Sequence, residues 1–372
     1  MRDDRHLYMQ CERGRGTKDS ILTCLYNSSS SWDEYVFSFY GGTPFDLYGW
    51  GRIIEKIYRH PTCFLSAHAE CRGKKKIVGI LPLVHFVSPK GESRLISLPF
   101  LDFAGILADN PSIEHFLFNE ALAIAERVGA VHLELRQDHS ISFLHEKGFE
   151  LPHQYSHKAH IFKVGLRKSL PGSSEELWQS IGSKVRNQVR KARQSKCTGR
   201  VGGLELLASF YSVFSQNMRD LGSPVHAFSF FEEIFKEFGE QAVIILIERE
   251  EEPLAGAIAI RMHETLYNPW ASSLRAFRPL CPNMLLYWQM LIHASENGLR
   301  FFDFGRSSPG SSTHRFKKQW GAESRPLSWH IFSKKPNTWT PDRESLAIEP
   351  WKHLDLDLSR RTGPELRRWI SL

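Results

Sequence analysis

Asp303, Arg306, Phe316, Lys317 and Lys318 bring a carboxylate, a guanidinium, an aromatic ring and two lysines into sixteen consecutive residues. A fixed cation stabilises an oxyanion, and a neighbouring carboxylate orients or deprotonates an amine. Asp303 and Arg306 fall at the carboxyl end of an expected strand, where α/β sheets tend to open a crevice. An earlier stretch carries a similar frame with different chemistry. Glu134 and Arg136 resemble Asp303 and Arg306, and Phe143 stands where Phe316 stands, but Leu144 and His145 occupy the places of Lys317 and Lys318. The frame keeps the aromatic and not the lysines, so the lysines need a reason beyond packing. For Asp303 the competing reading is a fold-supporting ion pair at a strand end.

That correspondence extends to an internal repeat. Ile77-Val-Gly79-Ile80 matches Leu254-Ala-Gly256-Ala257, and each follows an apolar strand and a charged turn, the pattern of a hairpin. Ala125–Glu134 matches Ala294–Asp303, a helix ending at glycine and running into a strand. Phe143–Glu150 matches Phe316–Glu323. Each copy reads strand, turn, strand, long strand, helix, strand, helix, strand. The central helices are expected at 112–128, with Ile113, Phe116, Leu117, Ala121, Ile124 and Ala125 as the apolar stripe, and at 282–297, opened by Pro282. Mixed strands with helices packed on them make this an α/β (α+β) protein.

Length and composition agree. At 372 residues the chain suits two domains. The expected division is an unstructured 1–20, a first domain 21–165, a second domain 166–335, and a tail 336–372 with a short amphipathic helix near its end. Six scattered cysteines without a C-x-x-C pair give neither a zinc site nor a disulfide framework. The polar N-terminus and the absence of a long apolar run point to a cytoplasmic protein, peripheral to the membrane where a lipid-linked substrate brings it there. A net charge of +7 permits an anionic ligand without selecting one.

Between the copies a basic helix is expected over 183–196. Arg186, Arg190 and Arg193 share one face, with Val185, Val189 and Ala192 on the other. Its arginines suit phosphate: a sugar diphosphate, a polyprenyl diphosphate or tRNA. A solvated face over a joint is the plainer reading. Trp270, beside Pro269, is a candidate pocket wall, with core packing as the alternative. Asp303-Phe-Gly305 lacks every other part of a kinase site. His153, His157 and His160 lack the H-E-x-x-H form, and no metal is expected.

Phe143-Leu-His-Glu-Lys-Gly-Phe149 resembles the helix-to-strand corner of GNAT acetyltransferases, and Ile77-Val-Gly79 resembles that fold's central hairpin. Two such units in one chain are similar to the FemAB-like transferases. Asn268-Pro-Trp-Ala-Ser-Ser273, Pro282-Asn-Met-Leu-Leu-Tyr-Trp288 and Phe302–Arg306 through Phe316–Gly321 resemble the subgroup found with bacterial exopolysaccharide and exosortase (PEP-CTERM) systems. The resemblance implies tandem duplicated GNAT-like (acyl-CoA N-acyltransferase) domains, mixed sheets flanked by helices, and acyl or aminoacyl transfer to an amine on an envelope or exopolysaccharide precursor. It gives Lys317 the part of the lysine that assists acyl transfer, with Asp303 as its catalytic companion. Arg186, Arg190, Trp270, Asn283, Arg306, Phe316 and Lys318 become substrate-binding candidates. No tightly bound cofactor is implied. The R/Q-x-x-G-x-G/A pyrophosphate loop of CoA-using enzymes is absent before either central helix, so aminoacyl-tRNA and acyl-CoA both stand as donors. The rivals are a CoA-dependent N-acyltransferase on a sugar amine, and a non-catalytic RNA- or glycan-binding protein on a decayed transferase fold.

Overall fold

A computed structural model of the chain describes residues 22–25, 29–71, 74–334 and 349–371. Its strands are β1 (Leu22–Leu25), β2 (Thr62–Cys71), β3 (Lys74–Val87), β4 (Ser93–Ile96), β5 (Leu107–Ala108), β6 (His132–Gln137) and β7 (Tyr155–Ser169). They continue as β8 (Thr198–Gly202), β9 (Ala242–Arg249), β10 (Glu252–Met262), β11 (Thr265–Ser273), β12 (Phe301–Ser307) and β13 (Glu323–Lys334). The α-helices are α1 (Ser29–Ser38), α2 (Gly49–Tyr58), α3 (Pro111–Arg127), α4 (Ser174–Ser180), α5 (Ser183–Gln194) and α6 (Leu207–Asp220). After these come α7 (Phe228–Phe238), α8 (Pro282–Glu296), α9 (Ser312–Lys318) and α10 (Leu356–Arg367). The described residues fall into two compact units, one of 22–162 and 327–334, the other of 163–326 and 349–371.

In unit 1 the strand order is β1-β2-β3-β4-β6-β13. β2, β3 and β4 pair antiparallel, and β4 runs parallel to β6. The parallel step needs a crossover, which α3 supplies. The Asn110 side chain accepts from Ile113 N, Pro111 fills the first turn, and Gly129 at φ +64° ends the helix. Ile113, Leu117, Ala121, Ile124 and Ala125 are buried from it. The helix lies so close to β3 that a Cβ on Gly79 would stand 2.7 Å from Ile113. The expected second domain loses residues 327–334 to this unit, because β13 pairs with β6 from Ser328 to Ser333.

Unit 2 has the order β7-β12-β11-β10-β9-β8, to which β7 contributes its residues from 163 on. β9, β10 and β11 pair antiparallel, and β11 runs parallel to β12. Here α8 makes the crossover, opened by Pro282 and ended at Gly298, and it buries Met284, Leu285, Trp288 and Leu291. Gly79 and Gly256 thus lie in the middle strand of each antiparallel trio, and Glu134 and Asp303 on the parallel fourth strand. The mixed α/β class read from the sequence is the observed one. One matched anchor differs: the Phe143 segment is a single 3-10 turn, Ser142–His145, whereas Phe316 sits on a helix, α9.

The described part of the expected tail, 349–371, belongs to unit 2. On α10, Arg360 Nε donates to Ser215 Oγ of α6 at 2.9 Å, and Arg367 Nε reaches buried His226 Nε2 at 3.2 Å. Residues 1–20 and 336–348, assigned above to an unstructured start and to the tail, lie outside the described residues.

A strand-end ion pair, the competing reading given for Asp303, is what Glu134 makes in unit 1. Arg136 Nε donates to its carboxylate at 2.7 Å with both side chains wholly buried, and the guanidinium stacks 3.9 Å over the Trp329 ring. Burial alone would raise the Glu134 pKa; Arg136, His132 and Arg94 outweigh it and hold the carboxyl down to about 2. Glu134→Ala would leave that cation buried without its partner, a loss of about 3–5 kcal/mol. Urea unfolding should show it directly, and wild-type stability in this variant would contradict the assignment.

Candidate active site

The site grows from the way β11 and β12 part. They pair only over Thr265–Tyr267 and Phe301–Asp303; beyond that β11 follows β10 to Ser273, and β12 follows β7 to Ser307. Each strand is irregular where they separate. β11 shifts register against β10 between Ile258 and Ile260, and the buried Asn268 amide closes the gap by donating to Ile258 O at 3.0 Å and Trp270 O at 2.9 Å. β12 shifts against β7 between Asp303 and Arg306. There Gly305 takes φ +69°, and its N–H donates to Asp303 Oδ1 at 2.7 Å. Two parallel strands that splay leave backbone donors and acceptors facing a gap, which an extended amide-bearing ligand can satisfy.

Lys317 reaches this place from α9. The Ser311 hydroxyl caps that helix by accepting from His314 N, and Phe316 packs edge-on against Tyr287 of α8 with ring centres 4.9 Å apart. With α9 fixed, Lys317 is buried to 8% exposure and its Nζ donates to Arg306 O at 2.8 Å. Lys318 faces solvent. Asp303, the Arg306 backbone and Lys317 therefore meet at the end of β12, and Phe316 is the packing residue that brings Lys317 there. Asn283 lies in the first turn of α8, whose N-terminal end follows the carboxyl end of β11 through a short 3-10 segment.

Sequence reasoning missed three polar groups in this region. Tyr287, 6% exposed, stacks on Phe304 at 5.6 Å, and burial pushes its phenol pKa upward. Ser273 Oγ and Ser307 Oγ, at the carboxyl ends of β11 and β12, are buried without a hydrogen-bond partner. Nothing in their spacing marks them; only the parting of the strands does. In unit 1 the chain itself fills the equivalent gap. Ser97 N donates to Glu134 O at 2.8 Å, Ala104 N to Arg136 O at 3.0 Å, and Ile106 N to the Gln137 side chain at 2.8 Å.

Other expected binders have different work. Arg186 has a structural part: Nη1 donates to Ile181 O at 2.6 Å, Trp178 O at 3.3 Å and Gln179 O at 3.4 Å, closing the carboxyl end of α4. Arg190 is exposed, bonded to Asn187 and lying 5.3 Å over the Trp178 ring. Trp270 packs in the core of unit 2. It is 7% exposed, with Phe230 and Phe231 edge-on at 5.7 and 5.4 Å, because its strand position faces α7.

Among the histidines, His157 Nε2 and His330 Nδ1 lie 3.0 Å apart with ring centres 5.2 Å apart, so both nitrogens sit on the line between the rings. That is a head-on shared proton; chelation needs lone pairs converging on a third point. Among the described residues no group of three or more His, Cys, Asp or Glu is placed to hold a metal ion.

Two measurements check these assignments. Arg186→Gln should cost about 1–2 kcal/mol of stability, while Arg190→Gln stays within about 0.5; equal melting temperatures would refute the capping role. Burial, aided by His157, His139 and His145, pushes His330 down to about 4 from 6.5. The unfolded chain then binds the extra proton, so stability should fall as pH drops below 6.5 and this loss should be complete near 4, up to about 3 kcal/mol. His330→Gln should flatten that part of the pH profile, and an unchanged slope would count against it.

Residues 181–318, spanning α5 to α9, match the family model of the acetyltransferase (GNAT) domain. No curated protein sequence matches the chain. Among solved structures, FemX superposes with TM-score 0.65 at 16% identity, over 82% of this chain and 96% of that one. The C-terminal domain (DUF2156) of an Agrobacterium fabrum protein described as a lysylphosphatidylglycerol synthetase gives 0.54 at 11%, over 87% and 95%. L-PGS from Bacillus licheniformis gives 0.50 at 15%, over 85% and 96%. At such identities these likenesses speak for the fold: the chain has a GNAT-like α/β fold, and the acetyltransferase-domain match covers the parted strands and Lys317.

Proposed function

We propose that the protein is an acyltransferase that moves an acyl or aminoacyl group from an activated carrier to the amine of a cell-envelope or exopolysaccharide precursor. The observation that carries this reading is Lys317, a buried ammonium anchored on the Arg306 carbonyl where β11 and β12 part. The carrier's ester or thioester lies along the gap, with its carbonyl oxygen toward Lys317. The amine attacks that carbon, an N–C bond forms, and the cation stabilises the oxyanion. As the intermediate collapses, the C–O or C–S bond to the carrier breaks, and the proton lost by the amine ends on the leaving oxygen or sulfur, so the carrier departs as alcohol or thiol. Asp303 acts by holding Gly305, and with it the carbonyl that positions Lys317. No resident cofactor enters this scheme.

Supporting the aminoacyl form are the likeness to FemX and to the two lipid-related structures, and the missing pyrophosphate loop. The match to an acetyltransferase (GNAT) domain favours the second reading, a CoA-dependent N-acyltransferase. We further read the matching strand order of the two units as a tandem duplication, in which unit 2 holds the reaction and phosphate-bearing precursors or tRNA are the partners.

Mass spectrometry of products formed with aminoacyl-tRNA or acyl-CoA and amine-bearing envelope precursors would decide between the donors, and no product with either would refute the proposal. With the active pair in hand, Lys317→Ala should lower turnover roughly a hundred- to thousandfold while acceptor binding survives. Lys318→Ala, at an exposed position, should stay within about twofold of wild type. Full turnover in Lys317→Ala would remove this site from the reaction.

A further inference from the structure

One acid-free stretch of this chain holds more cations than any other. Seven of its 48 Lys and Arg lie between Lys184 and Arg200, a stretch without Asp or Glu, and those that remain equal the 41 acidic residues in number. The formal charge of +7 is thus the charge of α5 and the turn and strand that follow it. The fold uses two of the seven: Arg186 closes α4, and Arg200 pairs with Glu248 at 3.3 Å. Lys184, Arg190, Lys191, Arg193 and Lys196 are exposed, and none has a carboxylate partner among the described residues. The helix has twelve residues and so runs about 18 Å. Its apolar side, Val185, Val189 and Ala192, is buried in the core of unit 2, leaving only the charged side outward.

We propose that this strip docks unit 2 on an anionic membrane surface, the lipid phosphates taking the place of the missing carboxylates. Five cations without a carboxylate partner, in a stretch of sequence with no acidic residue, are a surface suited to a sheet of negative charge. Because the apolar side of α5 is committed to the core, the helix binds by charge and does not insert. The side chains flanking the strip fit lipid better than nucleic acid. Proteins that hold single-stranded or looped RNA set exposed aromatics among their cations for base stacking; α5 has no aromatic residue, and the ring beside it, Trp178, is half-buried against the core of unit 2 under Arg190. Just beyond it, Val201 and Leu204 are 46% and 47% exposed, apolar side chains that can touch the headgroup boundary. No described helix is long and apolar enough to cross a membrane, and this contact needs none. The inference does not rest on the transferase reading, since docking is a property of the surface.

The test is co-sedimentation of the full chain with vesicles of phosphatidylcholine alone, or with roughly one third phosphatidylglycerol, where each surface cation contributes about a fivefold factor. The protein should sediment with the anionic vesicles, stay in solution with the neutral ones, and be released by high salt. Lys184→Gln, Lys191→Gln and Lys196→Gln combined should weaken binding about a hundredfold with the melting temperature unchanged. Failure to bind anionic vesicles overturns the proposal, as does wild-type binding by the triple variant. Tighter binding to a tRNA than to the anionic vesicles at the same salt would also overturn it and assign the strip to nucleic acid.

Discussion

One hydrogen bond organises the second unit's site: the donation from Lys317 Nζ to the Arg306 carbonyl. It exists because two irregularities coincide. Gly305, at a positive φ that a side chain would strain, turns the backbone of β12 with Asp303 accepting its N–H, and the turned strand offers a carbonyl to α9. The same irregularity lets β12 leave β11, so the cation and the gap have one cause. Phe316 and Tyr287 hold α9 against α8, and Gln319 adds a contact to Met284. A lysine on a mobile loop would lose its preorganisation; on a packed helix it costs no reordering when charge develops.

Each unit has the same sequence of pairings, antiparallel, antiparallel, parallel, with a helix crossing before the last strand. They differ where chemistry would happen. Unit 1 fills its gap with residues 97–106 and spends its strand-end carboxylate on a buried ion pair with Arg136. Unit 2 keeps the gap and spends the corresponding carboxylate on a backbone turn. A buried ion pair of this kind gives rigidity; an open strand edge beside a buried cation gives a place for a ligand.

Much of this was legible in the residues. The glycine pairs Gly79 with Gly256 and Gly129 with Gly298 mark positions set by the backbone, either a close helix approach or a helix end, so their order survived where side chains and loop lengths did not. The contrast of Phe316-Lys317-Lys318 with Phe143-Leu144-His145 set both lysines apart, and only the packing of α9 shows which of the two is buried. The capping part of Arg186 was not legible, because a charge on a helix face looks the same whether it faces solvent or the end of the preceding helix. For Trp270 the sequence left pocket wall and core packing both open, because an alternating strand does not say which side carries the helices. Long-range choices were invisible altogether: β13 pairing with β6, and α10 packing on α6, join segments about 140 to 200 residues apart, which local periodicity cannot encode.

The most direct measurement is an experimental structure with a non-transferable donor analogue, its ester or thioester replaced by an amide. The analogue should lie between Asn268–Ser273 and Phe304–Ser307, with the acyl oxygen about 3 Å from Lys317 Nζ. Binding instead in the cavity of about 530 Å³ lined by Gly202, Arg261 and His293, or with the acyl oxygen turned away from Lys317, would contradict the role given to this lysine.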